Sequence, residues 1–218
     1  MLRVGVTAQP DEPALIVAWQ QGSAPAADEL TRRYYASVRR FFDLRAPSVA
    51  DDLTQATFLG ALEARASFRQ DSTFKTFVFG IAHKQLLRHL RAQHQGPRVQ
   101  RYATEGGPKT SLSVVAVRFQ EHQLLLMALT QLPVDLQIVT ELYYWEGMST
   151  AEVGQVLEVN ASTISSRLAR ARELLRDNIE VMTRPGALRD RLLSDLEGWS
   201  RALGPITAAA NAWRPPQR

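Results

Sequence analysis

Residues 96–112, GPRVQRYATEGGPKTSL, hold three Gly and two Pro and carry no apolar period, so no packed element is expected to run through them. On both sides of this break, apolar residues recur at helical spacing. Alternation of the kind a strand requires is missing apart from the short segment Ser113 to Val117. The fold class predicted is therefore all-α, with two small helical domains on a flexible linker. The expected boundaries are an N-terminal extension over 1–27, a first domain over 28–95, a linker over 96–118, a second domain over 119–180 and a C-terminal extension over 181–218.

In the first domain, Leu30, Tyr34, Val38, Phe41 and Phe42 predict a helix from about Asp28 to Asp43, ended by Pro47. Ser48 is positioned to cap the next helix, with Asp51 three residues on to answer it. Leu53, Ala56, Phe58, Leu59 and Leu62 place apolar surface on nearly all sides of that helix, so it should be mostly buried with its acidic start exposed. Ser72 or Thr73 opens a third helix to about His94, with Phe74, Phe77, Val78, Ile81 and Ala82 inward. Lys84, Arg88 and Arg91 share its outer face.

In the second domain, a helix runs from about Phe119 to Leu132 and another from about Val134 to Trp145, broken at Gly147. Ser149-Thr-Ala-Glu152 is a capping box that opens a helix to about Leu157. A turn over Glu158 to Asn160 then leads to a long helix from Ala161, with Asn160 at the cap position. A short helix, a three-residue turn and a longer basic helix form a helix-turn-helix arrangement. At about 100° per residue, Ile164, Leu168, Ala171 and Leu175 face inward. Ser162, Ser166, Ala169 and Arg170 lie opposite, flanked by Ser165, Arg167, Arg172 and Arg176. Small residues let such a helix sit deep in a major groove, where serines and arginines reach base edges and phosphates.

A net charge of +4 conceals an uneven distribution. From Arg65 to Arg101 there are eight basic residues against the single acid Asp71, a net of +7 that attracts polyanions. The block 121–180 is acidic, with nine acids against four bases, yet its arginines all lie between Arg167 and Arg176. The chain has no Cys and only four His, and His83, His89 and His94 are not spaced to share a metal. No nucleophile elbow or carboxylate constellation marks a catalytic centre, and Gly106-Gly-Pro-Lys-Thr110 breaks the phosphate-loop pattern at Pro108. Neither catalytic residues, nor a metal, nor a cofactor is expected, and the chain should not be an enzyme by itself. No apolar run approaches the roughly 18 residues of a bilayer span, and Pro10, Asp11, Glu12 and Pro13 interrupt the only stretch that could begin a signal peptide. A soluble, cytoplasmic protein without membrane insertion is expected.

Three segments together resemble the extracytoplasmic-function (ECF) sigma factors of bacterial RNA polymerase. SVADDLTQATFLGALEARASFR, from Ser48, is similar to that family's region 2.2. STFKTFVFGIAHKQLLRHLR, from Ser72, is similar to regions 2.3 and 2.4, and the stretch from Leu132-Pro133 through the basic helix to region 4. The resemblance implies that Asp51, Asp52, Gln55 and Phe58 dock on the coiled coil of the largest subunit of core RNA polymerase, with a further contact to the flap region. It implies that Phe74, Lys75, Thr76 and Phe77, with Lys84, Arg88 and Arg91, open and hold the -10 element of promoter DNA. Ser162, Thr163, Ser165, Ser166, Arg167, Arg170 and Arg172 would face the -35 element. Strand opening requires surfaces that accept unstacked bases and cations that hold the backbone, and this stretch has both, although Phe74, Phe77 and Phe79 equally suit a core. The family also commonly has an anti-sigma partner, which no residue here encodes.

This chain departs from the family pattern where Phe77, Gly80 and Lys84 replace the usual Trp, Arg and Asn, and Arg88 replaces an acid. Phosphate binding without sequence preference is thereby strengthened, and the resemblance no longer specifies which -10 bases are read. Glu158 stands in the turn where Gly is common. Beyond the family core, Leu188, Leu192, Leu196, Trp199 and Leu203 recur as an amphipathic stripe over 187–203, either a docking helix or one packed for stability. The function implied is a sigma factor that directs promoter-specific transcription initiation. The rivals are a helix-turn-helix regulator, or a polymerase-binding antagonist without sigma activity.

Overall fold

The computed structural model describes residues 11–68, 71–93, 116–196 and 198. Among them there is no strand. Helix α1 (Glu12–Gln20) lies within the predicted N-terminal extension. Pro13 sits in its first turn, where a missing N–H costs nothing. Helix α2 (Ala24–Asp43) starts four residues before the predicted Asp28, because Ser23 accepts from the Ala26 N–H and Pro25 occupies the first turn. The Tyr34 hydroxyl donates to the Glu12 carboxylate at 2.8 Å and ties the two helices together.

Pro47–Val49 form a short 3-10 turn into α3 (Ala50–Glu63). Ser48 is inside that turn, so the predicted capping by Ser48 does not occur. Val49 holds the cap position without a side-chain bond, and Asp51 pairs with Arg39 of α2 instead. Helix α3 is also less buried than its apolar content predicts. Ala50, Thr54, Thr57, Phe58 and Ala61 face inward, whereas Leu59 and Leu62 are exposed. Helix α4 (Phe74–Gln93) begins where Thr73 Oγ1 accepts the Thr76 N–H at 3.1 Å. Phe74, Val78, Ala82, Leu86 and Leu90 form its buried stripe, joined by Phe79, while Phe77 and Ile81 are only half-buried.

In the second half, α5 (Ala116–Thr130) and α6 (Val134–Thr140) flank Pro133, and a π-helical turn, Glu141–Trp145, continues α6. Gly147, with φ +66°, makes the break. Helices α7 (Thr150–Leu157), α8 (Ala161–Met182) and α9 (Ala187–Ser194) follow. Leu192 and Leu196 pack on a core made with Leu125, Leu129, Leu175 and Ile179, so the described part of the C-terminal stripe is packed against its own half; Trp199 and Leu203 lie outside the described residues.

The second core, the larger one, joins the two halves. Trp19, Phe41, Phe79 and Leu86 of the first half share it with Val139, Leu142, Val153, Val156 and Ile164 of the second. The two helical units are thus packed on one another, principally α4 against α7. Residues 96–115 of the predicted linker, with Arg98 and Arg101, lie outside the described residues, as does Arg69; residues 116–118 belong to α5, which starts three residues before the predicted Phe119.

Candidate nucleic-acid interface

The helix-turn-helix is built by backbone constraints. The Ser149 side chain accepts the Glu152 N–H at 3.2 Å, and the Ser149 N–H donates to the Glu152 carboxylate at 2.9 Å, so the predicted capping box is complete. That bond holds the Glu152 carboxyl below the usual carboxylate range. At the other end of α7, Val159 N–H donates to the Gly154 carbonyl at 2.9 Å, and Glu158 takes a left-handed conformation at φ +57°. This is the helix stop that glycine usually supplies, with Glu in its place. Glycine is needed instead at 154, where a Cβ would come within 2.6 Å of the Val159 carbonyl oxygen. Asn160 is the residue before α8, as expected, although its side chain makes no capping bond.

On α8, Ile164, Leu168, Ala171 and Leu175 are buried, and Ile179 extends the row. Ser162, Ser165, Ser166, Ala169 and Arg170 are exposed on the opposite side, with Thr163, Arg167 and Arg172 half-buried at its edges. Ser165 and Ser166 bond back to the carbonyls of Ala161 and Ser162, which keeps their hydroxyls close to the helix. Arg170 pairs with Glu173 at 2.9 Å, and both are well exposed, so the pair is worth at most about 1 kcal/mol and yields readily to a phosphate. Arg167 lies 3.9 Å from Asp135, and Arg172 donates to the Tyr144 hydroxyl at 3.3 Å. The groove between α6 and α8, lined by Pro133, Thr163, Ser166, Arg167 and Arg170, is open to solvent.

Helix α4 divides its predicted DNA-facing residues between inside and outside. Lys84, Arg88 and Arg91 are exposed on one face. Phe74 is 2% exposed and stacks edge-on to Trp19 at 5.2 Å between ring centres; to receive a base it would have to leave that cluster. Thr76 is buried as well. Phe77, at the rim of the same cluster, lies 4.8 Å from Phe68 and keeps one side outward. Lys75 Nζ donates to the Glu146 carbonyl at 2.7 Å, and Lys84 pairs with Glu158 at 2.9 Å. That bond lowers the Glu158 carboxyl. Burial lowers His83 on the same helix, which bonds the backbone of Val156.

Helix α3 carries a third surface. Asp52, Gln55, Leu59 and Leu62 fall at i, i+3, i+7 and i+10 and are all exposed, Leu59 by 54%. Phe58, predicted to belong to this face, points inward and stacks on Tyr35 at 6.3 Å. The leucines were missed because apolar residues on every side of a helix read as burial. The usable signal was their register with Asp52 and Gln55. Among the described residues, no cluster of side chains could hold a metal, and no helix is long and apolar enough to cross a membrane.

Residues 27–95 match the family model described as Sigma-70 region 2, and residues 122–175 match Sigma-70, region 4. The chain is similar to the ECF RNA polymerase sigma-E factor of Escherichia coli (strain K12), 26% identical over 184 residues that cover 79% of this chain and 96% of the relative. It is also similar to the protein of that name in Haemophilus influenzae, 28% identical over 181 residues, 78% of this chain and 95% of the other. Among solved structures, CnrH in complex with the cytosolic domain of CnrY shares the fold with a TM-score of 0.57 and 22% identity, over 79% of this chain and 99% of that one. The sigma factor RpoE in complex with the anti-sigma factor NepR from Bartonella quintana does so with 0.54 and 22%, over 72% and 98%.

Proposed function

The chain belongs to the sigma-70 family, as an ECF sigma factor that binds core RNA polymerase and directs promoter-specific initiation, and from that premise we propose how its residues divide the work. The -35 element is read by the outer face of α8. Thr163, Ser165, Ser166 and Arg170 reach base edges, and Ser162, Arg167 and Arg172 position the helix on phosphates. The observation that carries this assignment is the contrast across α8, where small and cationic residues are exposed and the opposite row is fully buried.

Lys84, Arg88 and Arg91 hold the backbone of the -10 element, and Lys75 and Phe77 meet the opened strand. Phe74 and Thr76 support that surface from beneath. The exposed α3 stripe docks on the coiled coil of the largest polymerase subunit, with Asp52 and Gln55 as its polar part and Leu59 and Leu62 as its apolar anchor; Asp51 is steadied by Arg39. Region 4 takes the flap contact. The protein acts in the cytoplasm, has no catalytic group of its own and leaves the chemistry to the polymerase. An anti-sigma protein is a fitting regulator, given the complex of similar fold with NepR.

Size-exclusion chromatography with sigma-free core polymerase tests the docking face. The wild-type chain co-elutes with the polymerase and Leu59→Asp does not, while its helicity and melting are unchanged. Equal co-elution of both proteins would remove α3 from the interface.

A further inference from the structure

Helix α1 lies outside the residues matched to region 2, yet its last turn is built into the base of the helix assigned to the -10 element. Trp19 is buried, and its ring stands edge-on to Phe74 at 5.2 Å between ring centres, to Phe68 at 6.1 Å and to Phe77 at 6.1 Å. Beside it, Gln20 Nε2 donates to the Phe68 carbonyl at 2.6 Å, a bond across 48 residues of chain. The Gly22 N–H donates to the Trp19 carbonyl at 2.9 Å and closes α1 directly after this pair, so both side chains start from a fixed place.

Phe68 and Phe74 are buried in this cluster, whereas Phe77 is half-buried. Phe77 lies 4.8 Å from Phe68 and 6.2 Å from Phe74, so together with Trp19 these rings back its inner side. A base that leaves the stack gains most from an aromatic face already held in place, because ordering a loose ring costs part of the binding energy. Without the indole there would be space behind Phe77. A close-packed interior does not keep such a void, and the nearest ring free to move turns into it.

We propose that Trp19, helped by Gln20, is a positioning residue for strand opening: it holds the Phe77 ring outward as the platform on which an unstacked -10 base comes to rest. That the platform receives a base rests on the promoter reading above; that Trp19 fixes the ring does not. At 2% exposure Trp19 cannot itself touch DNA, so it acts through Phe77 alone. Its loss should therefore slow the opening of the strands and leave the duplex contacts of α8 and the exposed stripe of α3 as they are.

Fluorine NMR and promoter opening test the two parts separately. With 4-fluorophenylalanine placed at position 77, the parent chain should give one sharp resonance, kept by Trp19→Phe and shifted and broadened in Trp19→Leu. Opening is followed with core polymerase and a promoter fragment whose start site the parent chain uses, carrying 2-aminopurine in its -10 element. Trp19→Leu should open it about tenfold more slowly, the loss of roughly one base–ring stack, with unchanged affinity for core polymerase and for a duplex that holds the -35 element alone. Trp19→Phe should restore the parent's rate. Phe77→Ala should be as slow as Trp19→Leu, and combining the two should slow opening no further. Should Trp19→Leu lose helicity, Gln20→Ala decides: it removes the bond to Phe68 and should slow opening about threefold. An unchanged resonance in Trp19→Leu, opening at the parent's rate in a folded Trp19→Leu or in Gln20→Ala, or losses that multiply in the double variant would each overturn the proposal. Failure of the parent chain to open any promoter, or full opening by Phe77→Ala, would remove the promoter reading and the opening step with it, and the resonance would still decide whether Trp19 holds the ring.

Discussion

Gly154 and Glu158 set the turn that places α8, and they act in opposite directions. A methyl group at 154 would meet a backbone carbonyl at 2.6 Å that no rotamer change can relieve. Gly154→Ala should destabilise the chain by about 1–3 kcal/mol in denaturant unfolding. Glu158 keeps a left-handed backbone that disfavours any side chain, while its ion pair with Lys84 is between two largely exposed groups. The backbone effect outweighs the ion pair, so Glu158→Gly should stabilise by about 1 kcal/mol. The sequence pointed to 158 through the absent glycine, but nothing in it marked 154, because the constraint there is a carbonyl five residues away. Glu152 adds a pH dependence. Its folded carboxyl is held low by the Ser149 N–H, so its contribution is present above the ordinary carboxylate range and is lost as pH falls through the lowered value. Thermal melting of Glu152→Gln should therefore decline less between neutral pH and about pH 3 than that of the parent chain.

At the scale of elements, most boundaries of the second half follow from the sequence. Pro133, Gly147, Ser149 and Asn160 all stand at helix boundaries, and the inward row of α8 falls where its 100° spacing puts it. Those signals are local. In the first half, neighbours far along the chain decide the outcome. The prolines that hid α1 are themselves compatible with a helix start, and the residue that proves the helix, Trp19, is buried by Phe68 and Phe74 from elements far along the chain. The apolar surface of α3 exceeds what its neighbours cover, so Leu59 and Leu62 remain outside. For α9 the structure favours packing: Leu192→Ala should cost about 2–4 kcal/mol by opening the smaller core, measured by urea unfolding.

At the scale of the whole molecule, the sequence suggested two units on a tether, and the structure packs them together through α4, α7 and the ionic cluster around Glu141. No periodicity or motif encodes that contact, since Arg40 and Glu146 are 106 residues apart and each reads alone as a solvated charge. The packed arrangement leaves the α3 stripe and the outer face of α8 exposed. The most direct test is reconstituted transcription: the purified chain, sigma-free core polymerase and genomic promoter fragments, with mapping of the start sites. Reading of the -35 element by α8 predicts transcripts from defined sites that share -35 and -10 elements, and their loss or redistribution with Arg170→Ala. Polymerase binding without transcripts, or defined starts indifferent to Arg170→Ala, would contradict it.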